Sequence, residues 1–355
     1  VDGVDVSLLG KEFALDVYAR AGLAGTDLSS LVPDATEAAL VGFLREQAYD
    51  LVVTGVGSTD MTERLLWKAG EELGIISLAL MDQWLNYEAR FALVPPGSDV
   101  GAAVRVYPTF IGSIDEWMKR EMVAHGIPGG RIVITGQPYF ETVHDCLRKL
   151  TDAHIRAAKQ RLGIKDGEWV LSYASEPIVE SYQDPWYLGY TQFSVFEAVV
   201  RALGRLELPR PVVLVVKLHP RNDKALFVER LKGILLPDGC RVCFAEGDLS
   251  VSEVIAISDA VFGMSSMMLL ETAIAQKPCL SVQIGLKRED PFILSRQGMV
   301  RTILSEDELR AALERLTKDG GRGIPAWQPA LDASERIIQL IQTILYAPPG
   351  HQRRA

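Results

Sequence analysis

Two adjacent serines and a later glutamate in the last third of the chain have the spacing of a nucleotide site. Ser265 and Ser266 follow the apolar run that ends at Gly263, and Glu271 comes five residues after Ser266. The pattern predicts a strand, a tight turn and a helix start, where unpaired N–H groups and the helix dipole favour an anion. Glu271 would then face a ribose diol. Phosphate and sugar contacts together indicate a nucleotide, although both serines also fit simple helix caps.

Polar side chains are also predicted at the ends of other strands in the second half of the chain. His219 and Arg221 follow the apolar run Pro211–Leu218, and Glu176 follows the run Trp169–Tyr173. Ligands in open α/β sheets bind beyond the carboxyl ends of the strands, so these residues are candidates for the same site. A histidine beside cationic neighbours can donate a hydrogen bond to a diphosphate. A lone histidine is more often an ordinary polar residue whose hydrogen bonds are made within the protein.

In the first half of the chain, Asp82 is the best candidate for a general base. It follows a predicted buried strand, and Trp84 and Tyr87 come after it with aromatic rings able to stack on a sugar face. Arg90 lies in the same segment and is a candidate substrate contact. The alternative is that Asp82 only stabilises the turn that follows it, as an Asx turn.

The remaining candidates carry weaker signals. Gly57, Ser58 and Thr59 follow one predicted strand and Gln137 follows another, and we predict substrate-side contacts for all four. Ser58 and Thr59 also fit ordinary helix caps. A segment rich in tyrosine and tryptophan over 182–190 forms either a lid or a loop that packs on the surface.

The composition describes an ordinary globular protein and limits the kinds of partner. Apolar residues make up 48% and charged residues 23% of the 355 residues, and the net charge is −9. Binding to nucleic acid or to an anionic membrane needs a basic surface, so we expect neither. No apolar run approaches the roughly 20 residues that cross a bilayer, which leaves only a peripheral membrane contact open. Local dipoles can still hold a small anion.

The cysteines indicate neither a disulfide framework nor a metal site. The chain has 4 cysteines, of which Cys240 and Cys243 form a C-x-x-C pair in an apolar run. Residues three apart on a strand point to opposite faces, and no second pair completes a zinc site. We therefore predict a structural role for this pair. We also predict that the protein needs no metal or other cofactor and that it is located in the cytoplasm.

Strands and helices are predicted to alternate along the chain, which favours parallel α/β layers, and the length favours two domains. We predict a substrate domain over 1–150, a nucleotide-binding domain over 151–325, and a helix in 326–355 that returns to the first domain before a frayed tail. No G-x-G-x-x-G turn follows the first predicted strand, so either a strand with that turn lies outside this sequence or the second half holds the nucleotide, and we expect the latter. The predicted elements include the strands Val4–Leu9 and Arg105–Ile111 and the helices Glu37–Gln47 and Thr62–Leu73, the last ending at Gly74.

Four segments carry a resemblance to a known superfamily. Lys217–Arg221 has the form K-x-H-P, and Ser258–Ser281 begins with the form S-D-x-x-x-G-x-S-S-x-x-x-x-E-x-x-x-x-x-K-P. The other two segments are Gly55–Asp60 and 115–140. These segments resemble the GT-B superfamily of nucleotide-sugar glycosyltransferases. Its relatives include the UDP-N-acetylglucosamine 2-epimerases and the CDP-glycerol glycerophosphotransferases, and the K-x-H-P segment is most similar to the latter.

The resemblance implies two doubly wound, Rossmann-like α/β domains that face each other across a cleft. The C-terminal domain would bind the nucleotide diphosphate, with His219, Ser265 and Ser266 on the phosphates and Glu271 on the ribose. Asp82 would face the reacting sugar from the N-terminal domain. Enzymes of this superfamily usually need no metal, because helix N–H groups and cationic side chains stabilise the leaving diphosphate.

Two departures from the resemblance favour a transferase over an epimerase. Val56 stands where the resemblance to the 2-epimerases places an acid. Ser175 and Glu176 stand where that resemblance places a histidine. We predict transfer of a sugar or polyol-phosphate from a nucleotide-activated donor to a hydroxyl acceptor in polysaccharide or glycoconjugate synthesis. Asp82 would be the general base, and Glu176 is the second candidate for this role. A 2-epimerase, a nucleotide-sugar hydrolase and a non-catalytic sugar-nucleotide-binding protein remain as alternatives, and the oligomeric state is open.

Overall fold

Helices and strands alternate through the computed structural model of the chain, which describes residues 3–58, 60–94, 103–247, 249–319 and 327–346. The strands are β1 (Leu9–Gly10), β2 (Thr26–Asp27), β3 (Leu51–Thr54), β4 (Ile76–Leu80), β5 (Ala92–Leu93), β6 (Val104–Arg105), β7 (Phe110–Ser113), β8 (Ile132–Ile134), β9 (Trp169–Ala174), β10 (Val212–Lys217), β11 (Cys240–Phe244), β12 (Ala260–Gly263), β13 (Cys279–Val282) and β14 (Thr302–Ile303). The helices are α1 (Phe13–Arg20), α2 (Leu28–Leu31), α3 (Glu37–Gln47), α4 (Thr62–Leu73), α5 (Tyr87–Phe91), α6 (Glu116–Ala124), α7 (Pro138–Lys149), α8 (Asp152–Arg161), α9 (Ile178–Ser181), α10 (Gln192–Leu203), α11 (Lys224–Leu231), α12 (Val251–Ile257), α13 (Met267–Ile274), α14 (Ile293–Arg296), α15 (Glu306–Asp319) and α16 (Ala333–Tyr346).

Contacts divide the chain into two compact units, of which the first joins Val1–Pro138 to Ala330–Ala355 and the second is Tyr139–Pro329. The first unit contains a parallel sheet of order β3-β4-β7-β8. Ile344 of α16 packs in a small core with strand residues of this sheet. The tail over 347–355, for which we predict fraying, lies outside the described residues. The assignment of a substrate role to one unit and a nucleotide role to the other stays a prediction.

The second unit is built on a six-stranded sheet of order β11-β10-β9-β12-β13-β14, parallel throughout. Renumbered within the unit, this order is 3-2-1-4-5-6, the doubly wound order of dinucleotide-binding folds. The direction in which successive strands are added to the sheet reverses between the neighbours β9 and β12. The connections that leave the carboxyl ends of these two strands therefore run over opposite faces of the sheet. Every residue of β9 and β12 is buried, as expected of parallel strands that helices cover on both faces.

The core of the second unit surrounds the ring of Tyr173, which stacks on Phe262 of the neighbouring strand with ring centroids 4.8 Å apart. At the end of these strands, Gly263 lies so close to its neighbour that an added Cβ would meet the Ala174 carbonyl oxygen at 2.8 Å. Only glycine therefore allows β12 to end beside β9. This close pairing brings the loops after the two strands together.

Element boundaries differ from the sequence-based prediction mainly in the first unit. The helices α3 and α4 have the predicted bounds, and Gly74 ends α4 in the left-handed region at φ 74°. The predicted strand Arg105–Ile111 is instead two strands, β6 and β7, with Pro108 between them, because proline cannot donate to a ladder. The predicted strand Val4–Leu9 is reduced to β1, and the side chain of Val6 is 72% exposed rather than packed.

Candidate functional site

The loops that follow β9 and β12 meet through the carboxylate of Glu176. The N–H groups of Met264 and Ser265 donate to its Oε1 at 3.2 and 2.6 Å, and the Ser265 hydroxyl donates to its Oε2 at 2.8 Å. Glu176 follows β9 and Ser265 follows β12, so this contact lies at the switch point of the sheet. The strand ends and the turn before α13 therefore offer converging donors to an acceptor oxygen, and the Glu176 carboxylate of the chain occupies this position. That the same position holds a phosphate stays a prediction.

The second serine caps the helix. The Ser266 Oγ accepts the N–H of Met268 at 3.2 Å, which makes Ser266 the N-cap of α13. A hydroxyl that accepts one hydrogen bond can still donate its own proton to a phosphate oxygen. The phosphate contacts predicted for Ser265 and Ser266 stay predictions, but both side chains lie at the same helix start.

Glu271 is buried in the second turn of α13, with 4% of its surface exposed. The hydroxyl of Tyr139 donates to its Oε1 at 2.8 Å, a contact that the sequence did not indicate. Burial raises the pKa of the Glu271 carboxyl to about 7, and the Tyr139 hydrogen bond opposes this. Near neutral pH the residue is thus close to the midpoint of its titration, and the ionised form would be the stronger acceptor in its predicted contact with the ribose.

His219 lies after β10 with its ring oriented by the backbone. Its Nδ1 accepts the N–H of Arg221 at 3.1 Å, so the neutral ring carries its proton on Nε2. Burial and the charge of Arg221 lower the pKa of His219, which keeps the ring neutral at pH 7. The asparagine at 222 fixes the same turn by accepting the His219 N–H at 3.0 Å. The ring can therefore offer a neutral Nε2–H donor.

The aromatic segment after α9 divides into a buried and an exposed part. Tyr190 is fully buried and donates to Gln283 at 3.2 Å, whereas Trp186 is 50% exposed. The rings of Tyr182 and Tyr187 stack with centroids 4.9 Å apart, and the Arg288 guanidinium lies 4.5 Å from the Tyr187 ring centre. These contacts order the exposed rings against the body of the second unit.

In the first unit, the structure brings several predicted residues together around Arg90. The buried Arg90 guanidinium donates to Asp82 Oδ1 at 2.6 Å and to the Val56 carbonyl at 2.5 Å. The amide of Gln137 donates to the Asp82 carbonyl oxygen at 3.0 Å. The Asp82 side chain itself is 58% exposed, so an acceptor hydroxyl could reach it. Its role as general base stays a prediction.

The two aromatic residues of this segment are covered by protein. Trp84 is 3% and Tyr87 is 4% exposed. The Trp84 indole N–H lies 3.1 Å from both carboxylate oxygens of Asp115, and the Tyr87 hydroxyl donates to Glu121 at 2.7 Å. In this arrangement both side chains hold the segment to α6. Stacking of these rings on a sugar face stays a prediction, and it would require the rings to become exposed.

Sequence reasoning missed two charged residues at the start of α4 that hold the loop after β3. Glu63 accepts the N–H of Gly57, and Arg64, with no exposed surface, donates to the Gly57 carbonyl at 2.6 Å. Ser58 is exposed, and Thr59 lies outside the described residues. Burial raises the pKa of Glu63. An amphipathic helix pattern could not identify these contacts, since acids and arginines at a helix start usually face water.

No group of three or more side chains suited to a metal ion lies together within the described ranges. Cys240 and Cys243 lie on β11, an edge strand, and neither forms a disulfide. Burial raises the pKa of both thiols, which keeps them protonated and weakly reactive. Among the helices of the described chain, none is long and apolar enough to cross a bilayer. That the reaction needs no metal or cofactor stays a prediction.

The sheet order of the second unit and the parallel sheet of the first define a GT-B-like fold of two Rossmann-like units, which confirms the predicted fold class. The chain resembles the UDP-GlcNAc 2-epimerase of Methanocaldococcus jannaschii with a TM-score of 0.62 and 14% identity, over 96% of this chain and 92% of that one.

Two further solved structures share this fold. HepE of Anabaena, in complex with UDP-glucose, has a TM-score of 0.57 and 13% identity over 95% of this chain and 88% of its own. A glycosyltransferase of Rickettsia africae has a TM-score of 0.60 and 11% identity over 95% and 89%. Identities this low define the fold alone. No protein-family model and no curated protein matches the chain.

Proposed function

We propose that the second unit binds a nucleotide-activated sugar, or a CDP-polyol, and that the chain transfers the sugar or polyol-phosphate to a hydroxyl acceptor. The observation that carries this proposal is the anion site at the switch point of a 3-2-1-4-5-6 sheet, where Ser265 and the start of α13 hold a carboxylate. Doubly wound sheets bind their ligands at this point, and helix starts there bind phosphates.

The chemistry of the surrounding side chains supports release of a diphosphate. A leaving diphosphate is stabilised by fixed donors, here the Nε2–H of His219, the two serine hydroxyls and the N–H groups at the start of α13. Glu271 offers a buried acceptor for ribose hydroxyls. Asp82, exposed and oriented by Arg90, would take the proton of the acceptor hydroxyl.

A 2-epimerase is the second candidate, because solved structures with this fold include UDP-GlcNAc 2-epimerases. Two positions argue against it. Val56, which cannot transfer a proton, stands where the resemblance places an acid. Glu176 follows β9 where the resemblance places a histidine, and its carboxylate is engaged by α13. The transferase is therefore preferred.

One experiment separates the candidates. The protein is incubated with UDP-, CDP- and GDP-sugars and CDP-glycerol, with and without hydroxyl acceptors, and the free nucleotide and the sugar products are quantified. Nucleotide release that requires an acceptor supports the transferase. Release without an acceptor and with an epimerised sugar from UDP-GlcNAc supports the epimerase. Binding without turnover would leave a non-catalytic sugar-nucleotide-binding protein and would contradict the enzymatic proposal.

Replacement of His219 by alanine is expected to weaken nucleoside diphosphate binding about tenfold, or about 1.4 kcal/mol, because one neutral donor to a charged oxygen is lost. Calorimetric titration of the two proteins with the same nucleotide measures the change. His219→Gln, which keeps an N–H donor, should recover part of the affinity. His125→Ala, at an exposed histidine of the first unit, is the control. Unchanged affinity in His219→Ala would remove His219 from the site.

A further inference from the structure

The carboxylate of Glu176 occupies the position that a phosphate oxygen needs. It accepts hydrogen bonds from two backbone N–H groups and one hydroxyl, at 3.2, 2.6 and 2.8 Å, all from the turn that begins α13. These are the same donors that a helix start offers to a phosphate. A diphosphate and an ionised Glu176 cannot share them, because two negative charges would lie within hydrogen-bond distance of the same N–H groups.

A second observation indicates that the polar groups here are arranged for a ligand. The Oγ of Ser175 is buried, with 3% of the residue exposed, and makes no hydrogen bond within the described part of the chain. Buried polar side chains are normally paired, so this hydroxyl at the end of β9 is free to donate to a ligand atom that reaches it. Ser175 and Glu176 are adjacent at the end of β9, and both therefore lie at the switch point.

Burial makes the Glu176 carboxylate easier to protonate than an exposed glutamate. Burial raises the pKa of the carboxyl, while the hydrogen bonds from Ser265 and Met264 oppose the rise. The titratable groups that interact with its charge are Tyr173 on β9 and Tyr182 and Tyr190 on the aromatic segment, and all three are neutral at physiological pH. No cation is among the groups that shift its pKa most, so proton uptake is the available means of removing its charge.

We propose that Glu176 is an intramolecular competitor of the diphosphate: its carboxylate closes the anion site in the free protein and must take up a proton and leave the N–H groups of Met264 and Ser265 when a nucleotide binds. This inference rests on the proposed nucleotide function. The proton comes from solvent and the neutral carboxyl leaves without covalent change. The contribution of Glu176 to nucleotide affinity would therefore become less favourable as the pH rises.

Calorimetric titration with UDP, and with inorganic pyrophosphate as a probe that lacks the base, tests the proposal in the intact chain. Glu176→Gln removes the charge and is expected to bind both probes about tenfold or more tightly than the natural chain at pH 8, with a smaller difference at pH 5.5. Glu197→Gln, which changes an exposed carboxylate on α10, is the matched control and should leave affinity unchanged.

A second measurement uses the natural chain and therefore does not depend on the folding of a variant. Titrations in two buffers of different ionisation heat give the protons taken up on binding, and we expect uptake approaching one proton per UDP at pH 8. Equal or weaker affinity in Glu176→Gln, or no proton uptake, would overturn the Glu176 proposal while leaving nucleotide binding intact. Absence of binding to UDP, CDP, GDP and pyrophosphate in every variant would overturn the proposed function as well.

Discussion

Replacing Glu271 by glutamine is expected to remove about 3 kcal/mol of pH-dependent stability between pH 4.5 and 7. The pKa of this buried carboxyl rises from 4.5 in the unfolded chain to about 7 in the folded one. The folded chain thus holds the proton more tightly, so the stabilisation is fully present below pH 4.5 and is lost as the pH rises through about 7. Each pH unit in this interval corresponds to about 1.4 kcal/mol.

Urea unfolding of both proteins in steps from pH 4 to pH 8 measures this effect as the difference between the two stability curves. Glutamine keeps the shape of the side chain, and its oxygen can still accept the Tyr139 hydroxyl. Glu229→Gln, at an exposed glutamate of α11, is the control and should give a flat difference. A flat difference for Glu271→Gln would mean that the carboxyl is solvated or paired in the folded chain, which contradicts its burial.

The same titration matters for the proposed function. A neutral Glu271 can accept from a ribose diol at one oxygen, whereas the ionised form accepts at both oxygens and more strongly. Nucleotide binding that recruits this residue would stabilise the ionised form. Glu271 and Glu176 therefore have opposite effects on the pH dependence, since the first binds the ribose more strongly without its proton and the second must gain a proton. Binding affinity as a function of pH is expected to pass through a maximum.

Arg90→Met is expected to lower the free energy of unfolding by about 2–4 kcal/mol. The guanidinium is 7% exposed and donates to the Leu85 and Val56 carbonyl oxygens at 2.8 and 2.5 Å. Methionine fills similar space but leaves both oxygens without this donor, and hydrogen bonds from a charged group contribute about 1.5–3 kcal/mol each. Asp82 also loses its ion pair, so the candidate base would no longer be held in place.

Urea unfolding again provides the measurement, together with turnover if the donor panel identifies a substrate. Arg105→Met is the matched control, because that arginine belongs to the same unit and its side chain is 43% exposed in a contact with Glu88. We expect less than about 1 kcal/mol of destabilisation from the control, as is usual for exposed ion pairs. A similar small loss in Arg90→Met would show that the two carbonyl oxygens find other donors.

Much of the fold could be predicted from local patterns. The alternation of apolar runs with amphipathic segments predicts a parallel α/β architecture, the start of α3 follows from its Thr36 cap, and the end of α4 follows from Gly74. Errors arose where packing decides. The apolar residues after Val4 have the composition of a strand, but only Leu9 of the predicted strand pairs, in the short strand β1. Pro108 interrupts a run whose hydrophobic pattern is continuous.

The candidate site was predictable only in part, for the same reason. Ser265, Ser266 and Glu271 could be selected because a strand, a turn and a helix start within ten residues are a local feature. The sequence could also place Asp82 and Arg90 in one segment. It could not indicate that Trp84 and Tyr87 would be buried, because their spacing is equally compatible with a face that binds a sugar and one that packs on α6.

The sequence by itself determined which residues lie at the strand ends and that a helix start would hold a negative charge. Only the tertiary structure decided that the group bound there is the Glu176 carboxylate. It places β12 beside β9 and so brings Glu176 to a turn 89 residues further along the chain. Likewise, Tyr139 and Glu271 are 132 residues apart. Local periodicity reflects the burial of a face, whereas the pairing of distant polar groups depends on strand order and close packing, which no short segment encodes.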